Sequence, residues 1–245
     1  MTTGDAPESG PLGTATTGPL GDLDFAASTP PRKSARRLEI ASAAARVFAD
    51  SSYHTVGMRE VAAAVGIRGA SLYNHFSSKE EILYEIALSV TRDTVEGFLS
   101  VLDGSSPVAV RLAALIRAHL QHVAIMRVEH LVAIAEVKEL LPEHRAHVLE
   151  YKTYYHRRVR DVIVAGHRSG DFASPNPRLA TLALMDMLNS VSGWYRDEYD
   201  IDELADDYIR MGVGGLLAHP GDVDALCAES RTLLRESGVV IAARR

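Results

Sequence analysis

Cysteine is almost absent from the 245-residue chain, with Cys227 the single example. One thiol excludes an internal disulfide framework and any zinc site built from cysteines, and it fits a reducing compartment. No run approaches 18 consecutive apolar residues, which excludes an uninterrupted membrane span. The first residues lack a basic stretch leading into an apolar one, so no secretory signal is expected. A Gly-rich phosphate loop, a Gly-x-Ser-x-Gly elbow and a His-Glu-x-x-His pair are all missing, and an enzyme reading has little to stand on. No segment alternates as a strand does, and no repeat of 20–50 residues occurs. What is there is globular: 47% hydrophobic and 24% charged residues exclude global disorder.

The formal net charge of −6 argues at first against a nucleic-acid partner, but it is unevenly spread. Residues 1–31 carry −4, residues 32–79 carry +5, and residues 80–245 carry −7. A compact basic segment inside an acidic chain is a local footprint for a polyanion, or equally a solvated surface of fluctuating charge.

Residues 1–31 are rich in Gly, Pro, Ser and Thr and read as a disordered tail closed by Pro30-Pro31. From there the spacing of apolar residues predicts helices only. The first covers 34–50, with Leu38, Ala41, Ala45 and Phe48 on one face. A second opens at Gly57-Met-Arg-Glu60 and stops at Gly66; a third runs from Gly69 to His75. Ser78 and Glu81 have capping-box spacing for a fourth, which runs towards Leu102. Further helices are expected near 107–127, 129–140, 143–169, 176–195, 202–218 and 222–236. The predicted fold is therefore all-α. It consists of the tail (1–31), a three-helix helix-turn-helix domain (32–78) and a larger helical domain (79–245).

Two short helices joined at Gly66 behind a longer supporting helix describe a helix-turn-helix. In the third helix Leu72 and Phe76 stand at i and i+4 and would anchor it, leaving Gly69, Ala70, Ser71, Tyr73, Asn74 and His75 outward. Small residues let the backbone approach base edges, and Ser71 and Asn74 can hydrogen-bond them. Tyr73, His75, Lys79, Arg59 and Arg68 suit phosphates, and Arg68 also suits guanine. The arm Arg32-Lys33-Ser34-Ala35-Arg36-Arg37 would reach over the backbone or into a minor groove. The stretch from Ile40 to Leu83, and above all Met58-Arg-Glu-Val-Ala, Val65-Gly-Ile, Ser71-Leu-Tyr-Asn-His-Phe and Lys79-Glu, resembles the DNA-binding domain of TetR-family regulators. That resemblance implies phosphate contacts from Tyr73, His75 and Lys79, with Gly69, Ala70 and Ser71 facing the bases. Two positions depart from the family pattern: Gly57, where Thr or Ser is common, and Arg68, where a small hydroxyl residue is.

The resemblance also implies that residues 80–245 bind a small-molecule effector and form a homodimer on a palindromic DNA operator. Dimer-seam candidates are Leu179, Leu182, Met185, Met187, Val191, Met211, Gly212, Gly214, Gly215 and Leu216. The glycine run either permits close helix approach or ends a helix. Candidate ligand-binding residues are Phe98, Met126, Tyr155, Arg158, Trp194 and Tyr195, with Leu120, Val123, Val137, Tyr151 and Arg196 in support; an aromatic stripe of this kind is also what plain core looks like. The run from Gly170-Asp-Phe to Trp194-Tyr-Arg196 is loosely similar to TetR regulators of lipid and sterol-ring catabolism, whose effectors are acyl-CoA thioesters. Arg157, Arg158, Arg160 and Arg168 would then supply cations for the CoA phosphates.

The competing reading is a helical-bundle, metal-dependent oxidoreductase, suggested by His119 and His122 at i, i+3 and by Glu143, His144 and His147. No second Glu-x-x-His matches them, so surface or partly buried histidine is the default and no metal or other cofactor is expected. The reading that accounts for most of the chain is a cytoplasmic, ligand-responsive transcriptional regulator, a repressor in type, with no membrane partner.

Overall fold

A computed structural model describes residues 32–174, 176–239 and 241; the expected tail over 1–31 lies outside the described residues. All regular secondary structure among them is helical. Helix α1 spans Arg32–Ser51 and so absorbs the expected basic arm into its first turns. The reason is local: nothing from Arg32 to Ala45 breaks a helix, and Ile40, Ala41, Ala44, Ala45 and Phe48 bury one continuous face. Helix α2 (Met58–Val65) ends at Gly66, whose φ of 71° lies in the left-handed region that glycine enters without strain. Helix α3 (Gly69–Tyr73) is shorter than the spacing predicts. Leu72 and Phe76 are both buried against the head core, as their i, i+4 placement required.

Helix α4 spans Lys79–Phe98. Ser78 Oγ accepts from the Glu81 amide at 3.1 Å, but the Glu81 carboxylate reaches one residue further back, to the Ser77 amide at 2.7 Å. A short 3-10 segment (Leu99–Asp103) then leads to α5 (Val108–Ile125), α6 (Arg127–Glu136) and α7 (Pro142–Ser169). After these come α8 (Pro177–Trp194), α9 (Ile201–Ile209) and α10 (Val223–Glu236). Two cores result. The head core joins α1, α2, α3 and the first half of α4, through Ile82, Leu83, Ile86 and Ala87; it also takes in Val132 of α6 and Val148 of α7. The body core takes Val95 and Phe98 from the other half of α4 and is centred on α5. Helix α4 is thus common to both.

By length and composition α5 would pass as a membrane span, yet 72% of it is buried inside the molecule. It is the central core helix. It also carries Arg117, which is 1% exposed. That guanidinium is satisfied by Asp206 and by Asp202 Oδ1 at 3.1 Å, Ser230 Oγ at 3.3 Å and the Cys227 carbonyl at 3.5 Å. A buried charge is tolerated only when paired this fully, and the pairing ties α5 to α9 and α10.

Beyond α9 the helix widens into a π-helical stretch, Arg210–Leu216, that holds the glycine run. A Cβ on Gly212 would stand 3.0 Å from Leu184 Cδ1, so this glycine serves a close approach to α8 within one chain. Met185 and Val191 also lie in the body core. These three positions are therefore not available to a dimer seam. Leu179, Leu182 and Met211 are the large apolar candidates left exposed.

Candidate nucleic-acid interface and adjoining cavity

The outward face of α3 is built as its sequence suggests. Tyr73 is 58% exposed, and Arg68, Ala70 and Asn74 are exposed beside it, while Gly69, Ser71 and His75 are half-buried. Arg59 is exposed at the start of α2. Hydroxyl, amide, imidazole and guanidinium groups therefore share one narrow ridge, held from beneath by Leu72 and Phe76. An α-helix fits the major groove of B-DNA, and these groups are donors and acceptors for base edges and phosphate oxygens.

Two of the expected DNA contacts, Arg37 and Lys79, also bond within the head. Arg37 donates to Glu85 Oε2 at 3.0 and 3.1 Å, to Glu81 Oε1 at 3.0 Å and to the His75 carbonyl, and it lies 4.0 Å over the Phe76 ring. It is a strut that holds the end of the reader segment to α4. Lys79 Nζ donates to the Tyr53 carbonyl at 2.6 Å and sits 4.3 Å over the Tyr53 ring. Both cations, half-buried, brace the head. Arg36 remains at the surface, paired with Glu39 at 2.6 Å; the side chains of Arg32 and Lys33 lie outside the described residues.

Beside the middle and later turns of α4 lies a cavity of about 230 Å³, lined by α4, α5, α6, α7 and α8. Ala87, Val90, Thr91 and Thr94 of α4 form one wall. Lys152, exposed on α7, and Asp186, exposed on α8, flank its mouth, while His119, His130 and Tyr155 are buried. A more open groove between Pro107 and α10 is larger, about 320 Å³, but no buried polar side chain lines it. Of the six expected ligand residues only Tyr155 lines the cavity, joined by Val137 from the supporting group. Phe98 packs edge-on beneath it against Tyr155 and His119. Met126 is core; Arg158 is bound to Asp103 and to Tyr154. The Tyr195 hydroxyl donates to the Tyr199 carbonyl, and Trp194 lies at the surface. Four of the six are aromatic, and aromatic type does not distinguish a cavity wall from the core behind it.

The family model for bacterial regulatory proteins of the TetR family matches residues 40–86. The model for the tetracyclin repressor-like C-terminal domain matches residues 105–216, and together the two span well over half of the chain.

The chain belongs to the TetR family.

It is accordingly a DNA-binding transcriptional regulator and not an enzyme. It is 28% identical over 188 residues to the HTH-type transcriptional repressor KstR2 of Rhodococcus jostii, covering 75% of this chain and 92% of that protein. Among solved structures, the TetR-family regulator PfmR from Thermus thermophilus superposes with a TM-score of 0.67 at 28% identity, over 72% of this chain and 98% of that one. AibR, solved in complex with isovaleryl coenzyme A and operator DNA, shares the fold with a TM-score of 0.65 at 23% identity, over 73% and 98% of the two chains.

In this TetR-family regulator the oxidoreductase alternative has no support. His119 Nδ1 meets the Tyr155 hydroxyl at 3.0 Å, and His122 Nδ1 meets His130 Nε2 at 2.9 Å, so each of the helical pair bonds a neighbouring side chain through Nδ1. His144 binds Glu80 at 2.9 Å and His147 meets the Tyr84 hydroxyl at 2.5 Å, while Glu143 is exposed. Among the described residues the group His54, Glu136 and Glu139 brings donor atoms within 4.8 Å of one another, with His54 Nε2 3.7 Å from Glu139 Oε1. The His54–Glu139 contact joins the loop between α1 and α2 to the segment that follows α6. The expectation of surface or partly buried histidine fails at His119, His122 and His130, all of which are buried. The available signal was the setting of His119 and His122 on a helix whose other residues are mostly apolar.

Proposed function

We propose that this regulator is a homodimeric repressor, working in the cytoplasm, that leaves a palindromic operator when a small molecule fills the α4–α8 cavity. One observation carries the reading. Helix α4 lines the cavity with Ala87, Val90, Thr91 and Thr94, and its preceding turns supply Ile82, Leu83 and Ile86 to the head core. A ligand that prefers one placement of α4 therefore prefers one placement of the head. Two heads about one DNA turn apart, roughly 34 Å, read both halves of a palindrome. The ligand weakens DNA binding by its differential affinity for the state with another spacing.

Residues 32–78 act as the reading unit and residues 79–245 as the sensing and pairing unit, with Arg59, Arg68, Tyr73, Asn74 and His75 on the DNA. An acyl-CoA thioester is the proposed effector class. The complex of the fold neighbour AibR supports this class, as does an apolar cavity with Lys152 and His156 on its lining. The deciding experiment is a titration of labelled palindromic DNA at two salt concentrations with the wild type and Tyr73→Ala. Binding is expected to fall steeply with salt, since phosphate contacts release counterions. Tyr73→Ala should weaken it about tenfold for every sequence. Salt-independent binding overturns the reading.

A further inference from the structure

Of the buried His119, His122 and His130, only His119 and His130 line the cavity. His122 and His130 hydrogen-bond to each other at 2.9 Å. His119 uses Nδ1 on the Tyr155 hydroxyl at 3.0 Å, and its Nε2 is buried with no hydrogen-bond partner in the protein. The residue is 3% exposed and stands in the cavity wall. An imidazole on an apolar core helix is costly unless both nitrogens are used. Leucine or phenylalanine would fill the same space without that cost. We infer that His119 is a recognition residue at the buried end of the cavity, and that the effector ends there in an uncharged hydroxyl or carbonyl group. This rests on the reading of the cavity as the effector site.

The chemistry of the surroundings narrows the group. Burial, then the neighbouring His122 and His156, holds His119 down at about 3, so its ring is neutral and offers one donor and one acceptor. Burial pushes the Tyr155 phenol far above its ordinary range, so its hydroxyl keeps its proton. If that hydroxyl donates to Nδ1, Nε2–H is a donor for a ligand carbonyl or hydroxyl. If Nδ1–H donates instead, Nε2 accepts from a ligand hydroxyl. An alcohol fits both arrangements and a ketone only the first. A carboxylate fits neither well, because the cationic side chain on the lining, Lys152, is exposed at the mouth. The remaining walls are largely apolar, with Ala87, Val90, Ala133, Val148 and Met185. About 230 Å³ admits a small molecule or one end of a larger one.

The test uses the full-length protein and three probes of one shape, cyclohexanol, cyclohexanone and cyclohexane, followed by ligand-observed NMR. The wild type should bind the alcohol about tenfold more tightly than the hydrocarbon. His119→Asn keeps an amide for Tyr155 but has no atom at the Nε2 position. It should lose the tenfold preference while binding cyclohexane as before, which also reports an intact fold. His119→Gln, whose longer side chain returns an amide towards Nε2, should recover part of the preference. A wild type without the preference, or a His119→Asn variant that retains it, overturns the assignment to His119 and leaves the cavity reading standing. Failure of all three probes to bind the wild type overturns the cavity reading and this inference with it.

Discussion

His119 and His130 show how far single residues are governed by partners distant in sequence. Burial, then the neighbouring His122, holds both imidazoles below the ordinary histidine range, His119 at about 3. In the unfolded chain they titrate near 6.5. Between those values the unfolded chain binds protons that the folded chain refuses, so their contribution to stability is present above about pH 6.5 and is lost as the pH falls. Urea midpoints should therefore drop between pH 7.5 and pH 5.5. Below about pH 6.5 each histidine contributes a slope of up to about 1.4 kcal/mol per pH unit, and His119→Asn should remove its share. Asp206 acts only lower: burial raises it, but Arg117 and Arg231 outweigh that and hold it below its ordinary 3.8. Leu72 and Phe76 were legible from spacing alone, because an anchoring pair on a short helix is a local pattern. Arg37 and Lys79 were not, because their partners Glu81, Glu85 and Tyr53 come from other segments.

The helices themselves were the most readable level, since apolar spacing, Gly66 and Gly170 mark their courses and ends. The wide turn at Arg210–Leu216 escaped, because glycine in a helix signals either an end or a close approach and here does both. Gly212 meets Leu184, and the element stops at Leu216. Helix α2 shows a capping consequence. Gly57 at its start has no side chain to offer, and the Glu60 carboxylate accepts from the Gly57 amide instead. Glu60→Ala should therefore cost about 1 kcal/mol, seen as a fall of roughly 2–4 °C in Tm. Gly57→Ser should restore little in the wild type, because a Cβ there would stand 3.0 Å from Glu60 Oε2. An unchanged Tm for Glu60→Ala would remove the carboxylate's capping role.

For the whole molecule, fold class and family were legible, and the site in the body was not. A cavity is set by which helices pack together, and no local pattern states that. The proposed dimer depends on the exposed Leu179, Leu182 and Met211. Leu182→Glu should weaken self-association at least about tenfold in sedimentation experiments and lower operator affinity with it. Unchanged association would place the pairing surface elsewhere. The charge asymmetry belongs here too: a body carrying −7 is repelled by phosphate, which favours approach by the basic segment.

Helix α4 has a final consequence for engineering and descent. Its first turns are fitted to α1 and its later turns to α5, so a graft cut before Lys79 would join a foreign head to Ile82, Leu83 and Ile86. Heads and bodies of this fold are therefore not interchangeable parts at that point. A working chimera has to carry α4 together with both of its neighbours, or repack one half of it.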